Sequence, residues 1–438
     1  MSMKYFFIAG EPSGDALGGP LIKALKEKQP DAKITGVGGL QMQAQGLESL
    51  LPMEELCVIG LWEVISQLSR LMRLINAMTE EIIEQQPDVV ITIDLPDFNF
   101  RVAEKLKRAG FKGKIVHYVA PSVWAWRPGR AKKVSKFLDG IMCLFPFEPE
   151  HFEAHGLRSK YVGHPLIEVK HETLNPDLFK EKYGLRKDAK KIGVFFGSRP
   201  HEFNKIGPII VESIRMLHEQ DDNFILIAPT LPSLEMEITN LANELPCKTY
   251  VLTDQKEKWD AFASCDMAIA VSGTVGLELA YIGIPHLIAY QVHPLTYLII
   301  RFLVKIKYAH LGNILLEDKV VDEFLQGDCT PFNLAKTLYK WLKHPEMLEE
   351  KQEDLKRVKE VLRADDNNFV PSHEAAQFII DLVNNKVKKP KPPAPKPKPE
   401  KKKVEKKKGK GLKKGSNVSS EMVSPDISDK EEANKTEQ

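Results

Sequence analysis

Four short segments have residue types that could do chemistry: three set small residues beside a carboxylate or a guanidinium, suited to phosphates, and one sets carboxylates at the end of an apolar run, suited to hydroxyl protons. They are Gly10-Glu11-Pro12-Ser13-Gly14-Asp15, Ile93-Asp94-Leu95-Pro96-Asp97-Phe98-Asn99, Gly197-Ser198-Arg199 with Glu202 close behind, and Ser272-Gly273-Thr274-Val275-Gly276-Leu277-Glu278. In the first, small residues let backbone N–H groups approach a ligand and a following helix N-terminus favours an anion; the plainer reading is a tight turn with Ser13 or Asp15 as a helix cap. Asp94 ends an apolar run, so its carboxylate is placed to accept a proton from a hydroxyl nucleophile. Capping is the alternative for Asp94 and the leading one for Asp97. Arg199 offers two parallel N–H bonds to a phosphate, or else pairs with Glu202. In the fourth segment Ser272 or Thr274 caps a helix, Gly273 allows close backbone approach, and the free N–H groups suit a diphosphate. Glu278, about one turn further on, can reach a sugar hydroxyl. A fifth segment, Pro121-Ser122-Val123-Trp124-Ala125-Trp126-Arg127 with Arg130 after it, suits a sugar or an acyl-bearing phosphate, or equally an aromatic plug.

These segments need strands to hold them. Near-continuous apolar runs occur at 4–10, 33–39, 89–94, 114–119, 140–145 and 160–164, separated by stretches of helical length. That is the pattern of strands covered on both faces in a parallel, doubly wound sheet. The polar stretch 171–188 interrupts it, and the pattern restarts at 191–197, 224–229, 248–253, 267–272 and 286–291. Two Rossmann-like units follow. The expected division is 1–167, a linker 168–189, a second unit 190–333, helices over 334–385 and a tail 386–438. Ligands of open α/β sheets bind beyond the carboxyl ends of the strands, where the polar segments fall.

Length and composition agree. The chain has 438 residues, 43% of them apolar, enough for two or three domains with large cores. The net charge of +2 conceals a split, because 386–415 holds 15 Lys against 2 acids while 1–385 is mildly acidic. Proline and like charge make that Lys/Pro-rich segment an expected disordered tail. Five scattered cysteines without zinc spacing read as free thiols in a reducing compartment. There is no signal-peptide pattern, and the 19-residue uncharged stretch 282–300 is broken by Gly and Pro, which rejects it as a spanning helix. Two apolar, basic regions suit a membrane interface or a core-facing helix. One runs from Val58, Ile59, Leu61 and Trp62 through Ile65, Leu68, Leu71 and Met72; the other is 296–307.

Taken together, the order and spacing of GEPSGD (10–15), MEELCVIGLWEV (53–64), IDLPDFN (93–99), HYVAPSVWAWRPGR (117–130), LFPFE (144–148), VGHPL (162–166), GSRPHE (197–202), SGTVGLE (272–278) and Asn313-Ile314-Leu315-Leu316 are specific. Over about residues 4–385 the chain resembles the lipid-A-disaccharide synthase family of Gram-negative bacteria. The resemblance implies a GT-B fold, two Rossmann-like domains facing a cleft, with C-terminal helices returning to the first. It implies an inverting transfer of 2,3-diacylglucosamine from UDP to 2,3-diacylglucosamine 1-phosphate, giving a β-1,6-linked disaccharide 1-phosphate and UDP, with no metal or cofactor. The family works peripherally on the cytoplasmic face of the inner membrane, on phospholipid, and a homodimer is compatible with it. By carry-over Asp94 is the general base on the acceptor 6-hydroxyl and Arg199 holds the UDP diphosphate. Ser272, Gly273 and Thr274 cradle that group, Glu278 meets the ribose, and Asn313 lies near the nucleotide. Ser13, Asp15, Trp124 and Arg127 fall on the acceptor side, and Ile59, Leu61, Trp62, Ile65, Leu68, Leu71 and Met72 among acyl chains. Pro12, Pro200-His201 and Glu168 depart from the family pattern beside these positions. On the same architecture a UDP-GlcNAc transferase or 2-epimerase is the competing enzyme, and a UDP-binding protein without catalysis the competing non-enzyme.

Overall fold

The computed structural model describes residues 2–56, 68–169, 173–197, 200–293, 297, 304 and 306–390. In its first half β1 (Lys4–Ala9), α1 (Pro12–Lys28), β2 (Lys33–Val37), α2 (Leu40–Ala44), β3 (Glu48–Ser49), α3 (Leu68–Gln85), β4 (Val89–Ile93), α4 (Pro96–Arg108), β5 (Lys114–Tyr118), α5 (Gly129–Val134), β6 (Gly140–Cys143), α6 (Pro149–Glu153) and β7 (Arg158–Tyr161) follow in turn. The strands form one parallel sheet in the order β3-β2-β1-β4-β5-β6-β7. Along β4 every residue is buried; Val90 joins the core on one face while Val89, Ile91 and Ile93 join the core on the other. Alternation of side chains along a strand makes both faces apolar, and both must be covered. Helices α3 and α4 cover one face, and α1 covers the other with Leu21, Ile22 and Leu25.

The second half runs α7 (Pro176–Lys182), β8 (Lys190–Phe195), α8 (Pro200–Gln220), β9 (Phe224–Pro229), α9 (Glu235–Asn243), β10 (Thr249–Leu252), α10 (Lys258–Ala263), β11 (Met267–Val271), α11 (Thr274–Ile282), β12 (His286–Tyr290), α12 (Leu311–Leu316), β13 (Asp322–Leu325), α13 (Pro331–Lys343), α14 (Pro345–Val361) and α15 (Pro371–Val383). Its sheet is parallel in the order β10-β9-β8-β11-β12-β13. Proline opens α1, α4, α13, α14 and α15, where its missing N–H costs nothing and its fixed φ suits a first turn. The polar stretch before β8 is packed rather than free: Phe179 and Leu185 are buried in the second core.

Among the C-terminal helices α15 packs its apolar face on the first sheet, while the end of α14 meets it through the Tyr161 hydroxyl, which donates to Leu362 O at 2.9 Å. In α15, Ala375, Phe378, Ile379 and Leu382 pack with Leu21 and Leu25 of α1. Each such large apolar side chain contributes roughly 1.5–3 kcal/mol on burial. Helices α13 and α14 stay with the second sheet through Leu334, Leu338 and Trp341 on one face and Leu355 and Val358 on the other. In both sheets the strand order reverses once, between β1 and β4 and between β8 and β11. Those reversals leave crevices at the strand ends, the places where open α/β sheets bind ligands. Gly10 and Asp94 lie at the first, Gly197 and Ser272 at the second.

Candidate active site

At the first reversal the chain passes very close to itself. A Cβ on Gly10 would stand 2.7 Å from Leu95 Cδ2 and 2.9 Å from Leu56 Cβ, so no larger residue fits as β1 ends. Asp94 and Leu95 both adopt left-handed backbone, φ 49° and 45°, a conformation that costs roughly 1–3 kcal/mol for each non-glycine residue and persists only when its surroundings impose it. Here they do. The Asp94 N–H donates to Tyr118 O at 3.0 Å, and buried Asn99 donates through Nδ2 to Asp94 O at 2.7 Å and to Ile93 O at 3.3 Å. The turn aims a half-buried carboxyl off the tip of β4. Burial raises its pKa and a hydrogen bond from Leu95 N–H opposes the rise. Among the described residues no cation pairs with it. It therefore remains a stronger base than a solvated carboxylate. Asp97 is exposed and paired with Arg130 at 3.2 Å.

Ser13 is exposed in the first turn of α1, but Asp15 is buried. The Asp15 carboxylate accepts the N–H groups of Gln41 and Met42, both at 3.0 Å. It thus caps α2 in trans, a partner 26 residues away that local sequence does not announce, and of the two acceptor-side residues expected here only Ser13 has an open side chain.

The loop after β5 carries Trp124, Trp126 and Arg127. Trp126 is 40% exposed, and the Arg127 guanidinium lies 4.3 Å from its ring centre. Trp124 is half-buried, edge-on to Phe147 at 5.2 Å, and donates its Nε1–H to Glu148 Oε1 at 3.1 Å. Sequence reasoning did not single out Glu148 as a site residue; the available signal was a carboxylate directly after the strand-end run Leu144-Phe145-Pro146-Phe147. It is 2% exposed, and burial pushes its pKa up to about 7 against the pull of three N–H donors. On β5 itself His117 is buried, bonded to Thr92 Oγ1 at 2.8 Å, and depressed to about 3 by burial and by Arg130, so it stays neutral.

The second reversal holds a cavity of about 310 Å³. That is the size of a small-ligand pocket. Phe196, Gly197, Thr230, Leu252 and Ser272 are among its walls, contributed from the ends of β8 to β11, with Phe262 from α10. Gly273 and Thr274 open α11 into it, so the first N–H groups of that helix face the space. Glu278 also lines it, held by Lys258 at 2.7 Å. Lys258 was not anticipated. Ser198 and Arg199 lie outside the described residues.

Asn313 does not line this cavity. It is 0% exposed. Its Nδ2 donates to Val321 O at 2.9 Å and Glu323 Oε1 at 2.8 Å, and its Oδ1 accepts from Val320 N at 3.0 Å and Val321 N at 2.9 Å. Both polar atoms of its side chain are thus engaged within the protein. Glu323 in turn accepts the N–H groups of Ala309 and His310, and Ala309 O accepts from Ser272 Oγ at 3.4 Å. His310 backs the same turn so closely that a Cβ on Gly276 would stand 2.8 Å from its ring.

The apolar region before and within α3 divides. Ile59, Leu61, Trp62 and Ile65 lie outside the described residues, as does the side chain of Leu68. Leu71, expected among acyl chains, is instead 8% exposed and packs in the core beside Ile75, Met78 and Ile82, the i, i+4, i+7, i+11 face of the helix. Met72, one position on, is 41% exposed. Among the described residues no helix is long and apolar enough to cross a membrane.

Solved structures share this architecture. The UDP-GlcNAc 2-epimerase of Neisseria meningitidis bound to UDP-GlcNAc aligns with a TM-score of 0.60 at 12% identity, over 87% of this chain and 100% of that one. The glycotransferase of kitacinnamycin aligns at 0.58 and 13%, over 87% and 99%. Such likenesses establish the fold alone. Fold and sequence together define a glycosyltransferase of the GT-B type. A family model described as lipid-A-disaccharide synthetase matches residues 5–378. The lipid-A-disaccharide synthase of Rhodospirillum centenum is 40% identical over 384 residues, 87% of this chain and 95% of that protein. That of Gluconobacter oxydans is 36% identical, over 88% and 92%. The chain belongs to the lipid-A-disaccharide synthase family, and the epimerase alternative is not favoured.

Proposed function

We propose that the chain transfers 2,3-diacylglucosamine from UDP-2,3-diacylglucosamine to the 6-hydroxyl of 2,3-diacylglucosamine 1-phosphate. Asp94 takes the hydroxyl proton as the acceptor oxygen attacks the anomeric carbon. The bond from that carbon to the UDP oxygen breaks, its electron pair leaving with UDP, and attack from the opposite face inverts the centre to a β-1,6 linkage. The N–H groups at Ser272, Gly273 and Thr274 hold the diphosphate, Glu278 the ribose, and Arg199 the charge that develops as UDP departs. A helix N-terminus and a guanidinium supply positive charge, so the reaction is expected to proceed in EDTA. What supports this reading most is the pairing of the two reversals: at the tip of β4 a carboxyl of raised pKa that no cation among the described residues pairs with, and at the start of α11 a cavity of small-ligand size.

Both substrates carry acyl chains, so the proposed workplace is the cytoplasmic face of the inner membrane, with Ile59, Leu61, Trp62, Ile65 and the exposed Met72 towards lipid. The Lys-rich block 386–415 adds attraction to anionic lipid, up to about 1 kcal/mol per Lys near the surface. Truncation after Asn385 should weaken binding to anionic vesicles at physiological salt; unchanged binding would remove the tail from this picture. A homodimer is compatible with the reading. The decisive experiment mixes the protein with both substrates in detergent and EDTA and follows disaccharide formation, with Asp94→Ala alongside. Product from the wild type alone supports the assignment; no product from folded, UDP-binding wild type overturns it.

A further inference from the structure

The Glu148 carboxylate sits where two strand ends and one loop meet. Its Oε2 accepts the N–H groups of Leu144 and Phe145, at 3.0 and 3.1 Å, immediately beyond β6. Its Oε1 accepts Trp124 Nε1–H at 3.1 Å from the loop beyond β5. No cation among the described residues offsets its charge, so a costly buried acid is held by three N–H donors. The loop it grips is otherwise folded on itself, Ala125 N–H and Trp126 N–H both returning to Ser122 O at 3.1 and 3.2 Å, with left-handed residues Val119 and Arg127 near its two ends. Among the described residues the Trp124–Glu148 bond is the side-chain hydrogen bond that ties residues 120–128 to the neighbouring strand. On the loop's other side β5 adjoins β4, and Tyr118 O holds the Asp94 N–H. The loop is thus bracketed by the proposed base and by Glu148.

We infer that Glu148 is a positioning residue, which through Trp124 fixes the β5 loop so that Trp124, Trp126 and Arg127 bind the acceptor beside Asp94. This rests on the reading that Asp94 serves a sugar acceptor. A carboxylate can accept all three N–H groups; a glutamine has one oxygen and presents an NH₂ to at least one donor. A loop that loses its anchor orders itself at the expense of acceptor binding, while the donor cavity on the other sheet is untouched.

The test uses full-length wild type, E148Q, W124F and the double variant, with donor and acceptor KM measured separately and the Trp124 indole ¹⁵N–H resonance, assigned by its loss in W124F, recorded for wild type and E148Q. W124F deletes the donor N–H and keeps an aromatic ring, so it carries the test should E148Q not fold. E148Q is expected to raise acceptor KM about tenfold, leave donor KM within about twofold, shift the indole resonance, and add nothing to W124F, as residues acting through one bond are non-additive. Equal changes in both KM values, additive losses, or an unmoved indole resonance would overturn the inference. Absence of disaccharide from wild type, with the resonance still displaced by E148Q, would instead sink the transferase reading and leave the Glu148–Trp124 anchor standing.

Discussion

The side-chain amide of Asn99 donates to the main-chain oxygen of Asp94 at 2.7 Å, five residues back along the chain and across the turn from β4 into α4. It holds in place two successive left-handed residues that would otherwise relax. Asn99→Ala should lower stability by about 1–3 kcal/mol and lower kcat about tenfold through a misplaced carboxylate. Urea unfolding and steady-state kinetics measure the two; a stability loss with undiminished kcat would mean that the turn keeps its shape unaided.

The pH profile follows from the environment of Asp94. Burial raises its pKa, and a general base must be ionised to act. Activity should therefore fall on acidification at a pH above the ordinary carboxylate range. Folding carries the opposite sign: the folded state favours the protonated acid, so this group's contribution to stability is present at low pH and lost as pH rises through its folded pKa. Profiles of kcat/KM for wild type against those of Asp94→Glu should differ on the acid limb alone.

Asp15 yields a prediction about structure. Its two oxygens take the N–H groups of Gln41 and Met42. Asp15→Ala should cost about 1–2 kcal/mol, the usual penalty of a lost helix cap, and Asp15→Asn less, since an amide oxygen still accepts one of them. Chemical denaturation of the three proteins checks the order.

Much of the fold was legible because buried parallel strands are contiguous apolar runs, and β4 and β11 are buried at every position. The polar segments fell at the reversals because each directly follows a strand near the middle of its sheet. Of the four edge strands two escaped notice: β3 is the pair Glu48–Ser49, and β13 begins with Asp322 and Glu323, neither with a long apolar run to mark it. A partner distant in sequence was equally hidden: nothing local announces that the Asp15 carboxylate takes the N–H groups of Gln41 and Met42. Leu71 was assigned to lipid because an amphipathic helix shows its apolar stripe in sequence but not which neighbour covers it.

Glu278 and Lys258 form the remaining pair. Their contact is 2.7 Å, with Glu278 the more buried partner. Lys258→Ala should leave the carboxylate misdirected and weaken UDP binding about threefold, whereas Glu278→Ala, which removes the proposed ribose contact, should weaken it about tenfold, or 1.4 kcal/mol. Calorimetric titration with UDP separates them; if Lys258→Ala tightened binding, the lysine would be competing with the nucleotide for Glu278 rather than orienting it.

The return of α15 to the first sheet has a consequence in time. Residues 371–383 are made after the whole second sheet, yet Phe378, Ile379 and Leu382 complete the apolar layer against α1. While the nascent chain is being synthesised, Leu21, Leu25 and their neighbours have no cover from that helix. The N-terminal half waits for nearly all the rest to be translated, and a ribosome stalled before residue 371 would hold a protein with an open, adhesive flank.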